Sequence, residues 1–218
     1  DWSSDVCSSD LAHRVARTGS IALLLLWLNI AVWERALSDR RLQVFFLDVG
    51  QGDAAVVRLP NGMVLVVDGG QRRAEYDYGE RVLVPFLRAH NMGSVDVVVA
   101  THPHSDHIGG LVALLEHIPV RHYIDSGQQY DSWTARRLRS LIREQGVTYH
   151  RVAAGDSLLG MGAVGGLVLH PTAAFVDSLG QSTRGVNNGS VALKLSYGEV
   201  DILFTGDIEG ETDAALLA

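Results

Sequence analysis

Apolar positions in this chain form one long block near the N-terminus and a series of short runs after it. The block, Ile21 to Trp33, is apolar apart from Asn29 and follows His13, Arg14 and Arg17. Leu23 to Leu26 would cover every face of a helix, whereas an amphipathic core helix keeps its apolar residues to one stripe. The block alone falls short of the roughly 20 residues that span a bilayer. Thr18 to Leu37 reaches that length but takes in Glu34 and Arg35. A basic start and apolar middle also fit a signal peptide, yet no small-x-small cleavage site follows. A transmembrane helix with its linker is therefore expected over 12–40, the last helix of a longer membrane protein. Arg14 and Arg17 before it are balanced by Arg35, Arg40 and Arg41 after it, so flanking charge sets no orientation.

From Leu42 the short runs alternate between strand and helix periods. Leu42 to Leu47 and Ala54 to Leu59 read as a strand pair, and Asn61-Gly62 is a hairpin signal leading into Met63 to Val67. Tyr78 to Asn91 has helical spacing, with Val82, Phe86 and His90 on one side and Gly93 just beyond. Val95 to Ala100 reads as a buried strand, Leu111 to His117 as a helix, and Val120 to Ile124 as a strand. Thr134 to Gln145 follows as a helix ending at Gly146. Val147 to Val152 and Leu167 to His170 are strands, and Val191 to Tyr197 with Val200 to Phe204 form a hairpin around Gly198. The alternation predicts one α/β domain over 41–218.

The chemistry concentrates where the Val95–Ala100 run ends. His102, His104, Asp106 and His107 fall within six residues, and these three histidines are a third of the nine in the chain. Imidazole nitrogen and carboxylate oxygen suit zinc, manganese or iron. His102 and His104 can close on one ion while Asp106 and His107 turn towards a second. Asp68 ends the Met63–Val67 run and Asp207 the Val200–Gly206 run. Each alone is an ordinary turn residue before glycine; their order around the histidines gives them weight. The turn Leu47-Asp48-Val49-Gly50-Gln51-Gly52-Asp53-Ala54 would place Asp48, Gln51 and Asp53 near one rim.

The H-x-H-x-D-H pattern between a strand and Gly109-Gly110 resembles the central motif of the metallo-β-lactamase fold superfamily. The LDVGQGDA segment and Asn187-Asn188-Gly189-Ser190-Val191 resemble the hydrolase domain of ComEC-type DNA-internalisation competence proteins, over about Leu42 to Ala218. This resemblance implies an αββα sandwich with two divalent ions, manganese or zinc, at one edge. It implies metal ligation by His102, His104, Asp106 and His107, a bridging Asp207, and support from Asp68, Gln51, Asn188 and Ser190. Asp106, His107, Asp48 and Asp53 become the catalytic candidates. A metal-activated hydroxide would attack a DNA phosphodiester, degrading one strand at a bacterial inner membrane. The implied partners are single-stranded DNA, the membrane, upstream channel helices of the same native protein and other competence proteins. Asn187-Asn188 stands where the wider superfamily has a histidine, which tilts the metal towards manganese. The superfamily's final histidine would lie past Asp207, so C-terminal truncation is expected. A stand-alone hydrolase of another ester, thioester or lactam, and a metal-poor binding domain, are the alternatives.

Charge changes the picture in one respect. Hydrophobic residues at 47% and charged residues at 20% are ordinary for a packed domain, but a net charge of −7 opposes bulk attraction to nucleic acid. Metal ions would have to supply positive charge locally. Arg136, Arg137, Arg139 and Arg143 are expected on a solvated helix face, with phosphate contact as the other option. The single cysteine, Cys7, excludes an intrachain disulfide and a cysteine zinc site. It lies in Asp1 to Leu11, DWSSDVCSSDL, an aperiodic stretch that reads as a non-native, assembly-derived segment. His90, His117, His122, His150 and His170 are expected to be surface or packing residues.

Overall fold

The structure, a computed structural model, describes residues 3–37, 41–180, 185–210 and 212, with side chains within the first helix from His13 to Trp33 except Arg14. The linker end at 38–40 and the last stretch, 213–218, lie outside the described residues. Two compact units divide the chain, Asp1–Asp39 and Arg40–Ala218. The first is a single helix, α1 (Ser3–Leu37). Within it Val15–Trp33, 19 residues of mean hydropathy 1.7, is long and apolar enough to cross a membrane, and none of that stretch is buried. The aperiodic N-terminal stretch is helical from Ser3 onward.

In the second unit, β-branched runs form the strands that are buried on both faces. The first sheet holds β1 (Gln43–Phe46), β2 (Ala55–Arg58), β3 (Val64–Val67), β4 (Val95–Val99), β5 (Val120–Asp125) and β6 (Thr148–Arg151), in that order. β1 to β3 pair antiparallel and β3 to β6 parallel. Parallel neighbours need a crossover, supplied here by α2 (Val84–Ala89), by α3 (Ser105–Ile108) with α4 (Leu111–His117), and by α5 (Trp133–Glu144). The second sheet is antiparallel, in the order β10 (Val200–Phe204), β9 (Ala192–Tyr197), β8 (Gly165–His170) and β7 (Ser157–Leu158). A seven-residue helix, α6 (Ala173–Leu179), links β8 to β9 in the chain.

Alternation along the strands builds two cores. Val66 and Val98 pack with Leu87, Leu111, Leu114 and Leu138 from the helices. Leu65, Val67, Val97 and Val99 point the other way, against Leu193, Leu195 and Val168 of the second sheet. Strands clothed on both sides read as unbroken apolar runs, which is the pattern the sequence carries. The helices, the six-stranded sheet and the four-stranded sheet stack as expected for the sandwich.

Three departures are local. The segment expected as one helix from Tyr78 to Asn91 starts as a π-helical turn, Gly79–Leu83, before α2. Gly79 lies there against Gly110, whose carbonyl oxygen a Cβ at Gly79 would meet at 2.1 Å. α6 was not foreseen; it starts where the Thr172 hydroxyl accepts from the Phe175 N–H. β7 is also extra, two residues paired to β8.

Candidate metal centre

Strand register assembles the site. Val67, Val99 and Ile124 stand side by side at the ends of parallel β3, β4 and β5. The residues that follow, Asp68 and Thr101-His102, therefore lie along one sheet edge. β2 runs the opposite way and pairs Ala55 with Val67, so Asp53 arrives at the same edge. The Val191 N–H donates to the Thr101 carbonyl at 2.8 Å, joining the sheets there. Gly206, at φ 55°, lies so close to Thr101 and Ser190 that a Cβ would meet Thr101 at 2.8 Å, and Asp207 follows it. Gly52, at φ 95°, presses the LDVGQGD turn onto the backbone of Asp106.

Asp68 organises the centre. It is fully buried and accepts from the Thr101 N–H at 2.8 Å, the Thr101 hydroxyl at 2.6 Å and His107 Nδ1 at 2.9 Å. Because the Thr101 hydroxyl spends its proton on Asp68, it accepts from His102 Nδ1, 3.1 Å away. One carboxylate thus fixes both rings with hydrogen on Nδ1, so that the neutral form of each carries its lone pair on Nε2. Those Nε2 atoms face Asp207, at 4.0 Å from His102 and 3.3 Å from His107. The ligand atoms of all three residues lie within 4.8 Å of one another. His107 Nε2 is buried and makes no hydrogen bond, its closeness to Asp207 notwithstanding. Asp53, Asp68 and His107 form a second such group, but the oxygens of Asp68 already accept three hydrogen bonds, so the group containing Asp207 is the one with lone pairs to offer an ion.

Electrostatics separates the two buried imidazoles. Burial, then the neighbouring His107 and His104, pushes His102 down to about 2, leaving it neutral. Burial also opposes charge on His107, but the hydrogen bond and charge of Asp68, with Asp207 and Asp106, outweigh it and raise it to about 9. Asp53 is raised, chiefly by burial, against the pull of His107 and helped by Asp68, Asp207 and Asp106. Three carboxylates crowd one imidazole here, a surplus of negative charge that a cation would neutralise.

The other expected residues sit as follows. His104 reaches the group through His102, its Nδ1 3.1 Å from His102 Nε2, and meets Tyr130 edge-on. Asp106, in the first turn of α3, acts on Asp53 and His107 through its charge. Asp48 is exposed and, among the described residues, accepts only from its own turn, the Gly50 N–H at 3.3 Å, and Gln51 beside it is exposed. Asn188 is buried, and its Oδ1 accepts from the Glu209 N–H and the Thr212 hydroxyl, which anchors the segment after Asp207. Ser190 is buried with a hydroxyl oxygen that lacks a partner among the described residues. Among the remaining histidines, His170 is buried, with Nε2 2.8 Å from the Asn188 carbonyl. His90 stacks on Phe86, and His122 pairs with His150. Thr101 was missed as a functional residue; only its place directly before the first histidine marks it.

The site and sandwich define a class, and comparison agrees: the metallo-beta-lactamase superfamily profile matches residues 47–217, and the chain belongs to that superfamily. Among curated proteins it is similar to ComE operon protein 3 of Bacillus subtilis (strain 168), 29% identical over 187 residues, 80% of this chain and 23% of that protein. It is also similar to the uncharacterized protein YcaI of Escherichia coli (strain K12), 29% identical over 196 residues, 90% of this chain and 22% of that protein. The resemblance carried by the LDVGQGDA and NNGSV segments is thereby borne out, although the chain spans less than a quarter of either relative. A hydroxyacylglutathione hydrolase of Xylella fastidiosa (strain M23) is 33% identical over 105 residues, 47% of this chain and 31% of that protein.

Proposed function

We propose that this chain is the metal-dependent phosphodiesterase part of a membrane DNA-uptake protein of natural competence. The observation that carries the reading is the convergence of two buried Nε2 atoms and the Asp207 carboxylate, both rings being held by Asp68. The donor set fits a divalent ion, since His107 Nε2 is buried without a hydrogen-bond partner and imidazole with carboxylate suits manganese or zinc. His102 and His104 would serve one ion, Asp106 and His107 a second, with Asp207 between them. Bound ions would lower the pKa of water at the site and offset the charge of a phosphodiester. Asp53, raised and grouped with His107, would take the proton of the attacking water, while Asp48 and Gln51 would border the approach. Asn188 and Ser190 support the segments that carry Asp207 and meet Thr101.

Similarity to ComE operon protein 3 over most of this chain supports DNA as the substrate. The partners are then a single DNA strand, the membrane, channel helices of the same native protein and other competence proteins. The catalytic domain would be attached through α1 to a bacterial inner membrane. The test is cleavage of DNA by the full chain in detergent, with manganese, zinc or chelator, beside a His104→Ala/Asp106→Ala variant. Metal-dependent cutting that the variant loses is expected; folded, metal-loaded protein that cuts no DNA sinks the reading. A thioester substrate is the second reading, favoured by the hydroxyacylglutathione hydrolase match over 105 residues, and the same preparation assayed on a glutathione thioester decides for it.

A further inference from the structure

A cavity of about 380 Å³ adjoins the histidine cluster, between α5 and the ends of β4 and β5. His102 and Pro103 form one wall, so it begins where the metal centre stops. Its apolar surface includes Ile108, Tyr123, Leu138 and Ile142, a slot of the size that takes a small organic ring. A hydrogen-bond acceptor is built into this slot. Gln128, on the same wall, donates its amide N–H to the Val186 carbonyl, and its Oε1 packs against Gly189, closed off from the cavity. Asp125 accepts from the Tyr149 hydroxyl and the Gly127 N–H, both at 2.7 Å, and keeps further lone pairs. Arg139 and Arg143, both exposed, stand at the rim. The neighbouring Arg136 and Arg137 are tied to Asp131 and Glu116. The expected solvated arginine face is therefore divided: two residues form surface ion pairs and two guard a cavity.

We propose that this cavity binds the base of a nucleotide next to the phosphodiester held at the histidine cluster, preferring bases with an exocyclic amino group. The inference rests on the DNA-cleavage reading above. An unstacked base offers a flat apolar ring for Tyr123 and Leu138, and an amino group for the second oxygen of Asp125. Its flanking phosphates would meet Arg139 and Arg143. A lipid chain or detergent tail would leave that acceptor bare. Thymine, with a carbonyl in place of the amino group, would set oxygen against oxygen there.

The test uses the full chain in detergent, stripped with chelator so that no metal contributes. It is titrated by calorimetry with deoxycytidine monophosphate, thymidine monophosphate and inorganic phosphate. Deoxycytidine monophosphate should bind about tenfold more tightly than thymidine monophosphate, and phosphate alone more weakly than either. Ala135→Phe, which fills the slot, should weaken both nucleotides at least tenfold while hydrolysis of the small ester bis(p-nitrophenyl) phosphate persists. Asp125→Asn, which keeps the oxygen bonded to Gly127 and Tyr149 and turns an NH2 towards the cavity, should erase the cytosine preference and decides the matter if the phenylalanine variant fails to fold. No nucleotide binding, or binding indifferent to the substitution that folds, overturns the proposal. DNA cleavage without nucleotide binding removes the base site and leaves the cleavage function; binding abolished by filling the slot, without DNA cleavage, does the reverse.

Discussion

Replacing Asp68 by asparagine isolates what holds the metal centre together. Asp68 has φ 57°, a left-handed conformation that asparagine tolerates, so the backbone is spared. The Thr101 N–H keeps its partner on Oδ1. At the other position an NH2 group replaces the oxygen that accepts both the Thr101 hydroxyl and His107 Nδ1. Donor then faces donor, and the cheapest remedy is loss of the His107 Nδ1 hydrogen, so that the neutral ring carries its hydrogen on Nε2, the atom facing Asp207. The ring thereby loses the lone pair it offers an ion. Disturbing such a supporting carboxylate costs about 10–100-fold in metal affinity, roughly 1.4–2.8 kcal/mol, and a forced tautomer belongs at the upper end. Two charge-assisted hydrogen bonds become neutral ones, so the metal-free protein should lose about 3 kcal/mol, a fall of roughly 6–12 °C in Tm for a domain of this size. Calorimetric titration with manganese and zinc, thermal melts in chelator, and nitrogen NMR of the His107 ring measure the three effects separately. Metal affinity within twofold of the parent, with hydrogen still on Nδ1, would refute the reasoning.

Other consequences follow from the same geometry. Gly52→Ala should destabilise the domain by more than 2 kcal/mol, since φ 95° and a Cβ set 1.9 Å from the Asp106 carbonyl oxygen are both intolerable; urea unfolding reads it, and a neutral result refutes the close approach. Leu111→Ala, at a fully buried site in the core between the helices and the six-stranded sheet, should cost about 2–5 kcal/mol by the same measurement. In chelator, stability should peak near pH 6.5. The His107 contribution, held by a pKa of about 9, is complete below about 6.5 and lost as pH climbs through 9, about 3 kcal/mol in all. His102, pushed down to about 2, stays neutral when folded while the unfolded chain takes up a proton below about 6.5, so stability falls on that side as well. A profile that rises steadily from pH 6.5 to 9 without metal contradicts the His107 assignment.

Much of this was open to reading along the chain because it is local. The apolar runs Val64–Val67 and Val95–Val99 became central strands, since residues clothed on both faces leave an unbroken apolar signature. The H-x-H-x-D-H spacing marked a site because six residues cannot scatter far in space. Helix α5 was legible from Thr134 to Gln145 by its stop at Gly146, whereas the Ser132 cap that starts it at Trp133 came from the structure. The π-helical turn did not, because it depends on Gly110, which lies 31 residues beyond Gly79 in the chain. Membership of a rim was legible for Asp48, Gln51 and Asp53, but only the Ala55–Val67 register decided that Asp53 meets His107 while Asp48 turns to its own loop. The sequence by itself determined the order of the main elements, the apolar α1 and the set of candidate ligand types. The tertiary structure alone decided that Thr101 relays Asp68 to His102, that Asp207 faces both imidazoles, and that an arginine-rimmed cavity opens behind His102. Periodicity is a property each segment carries within itself, whereas which carboxylate meets which ring depends on registers between strands distant in the chain.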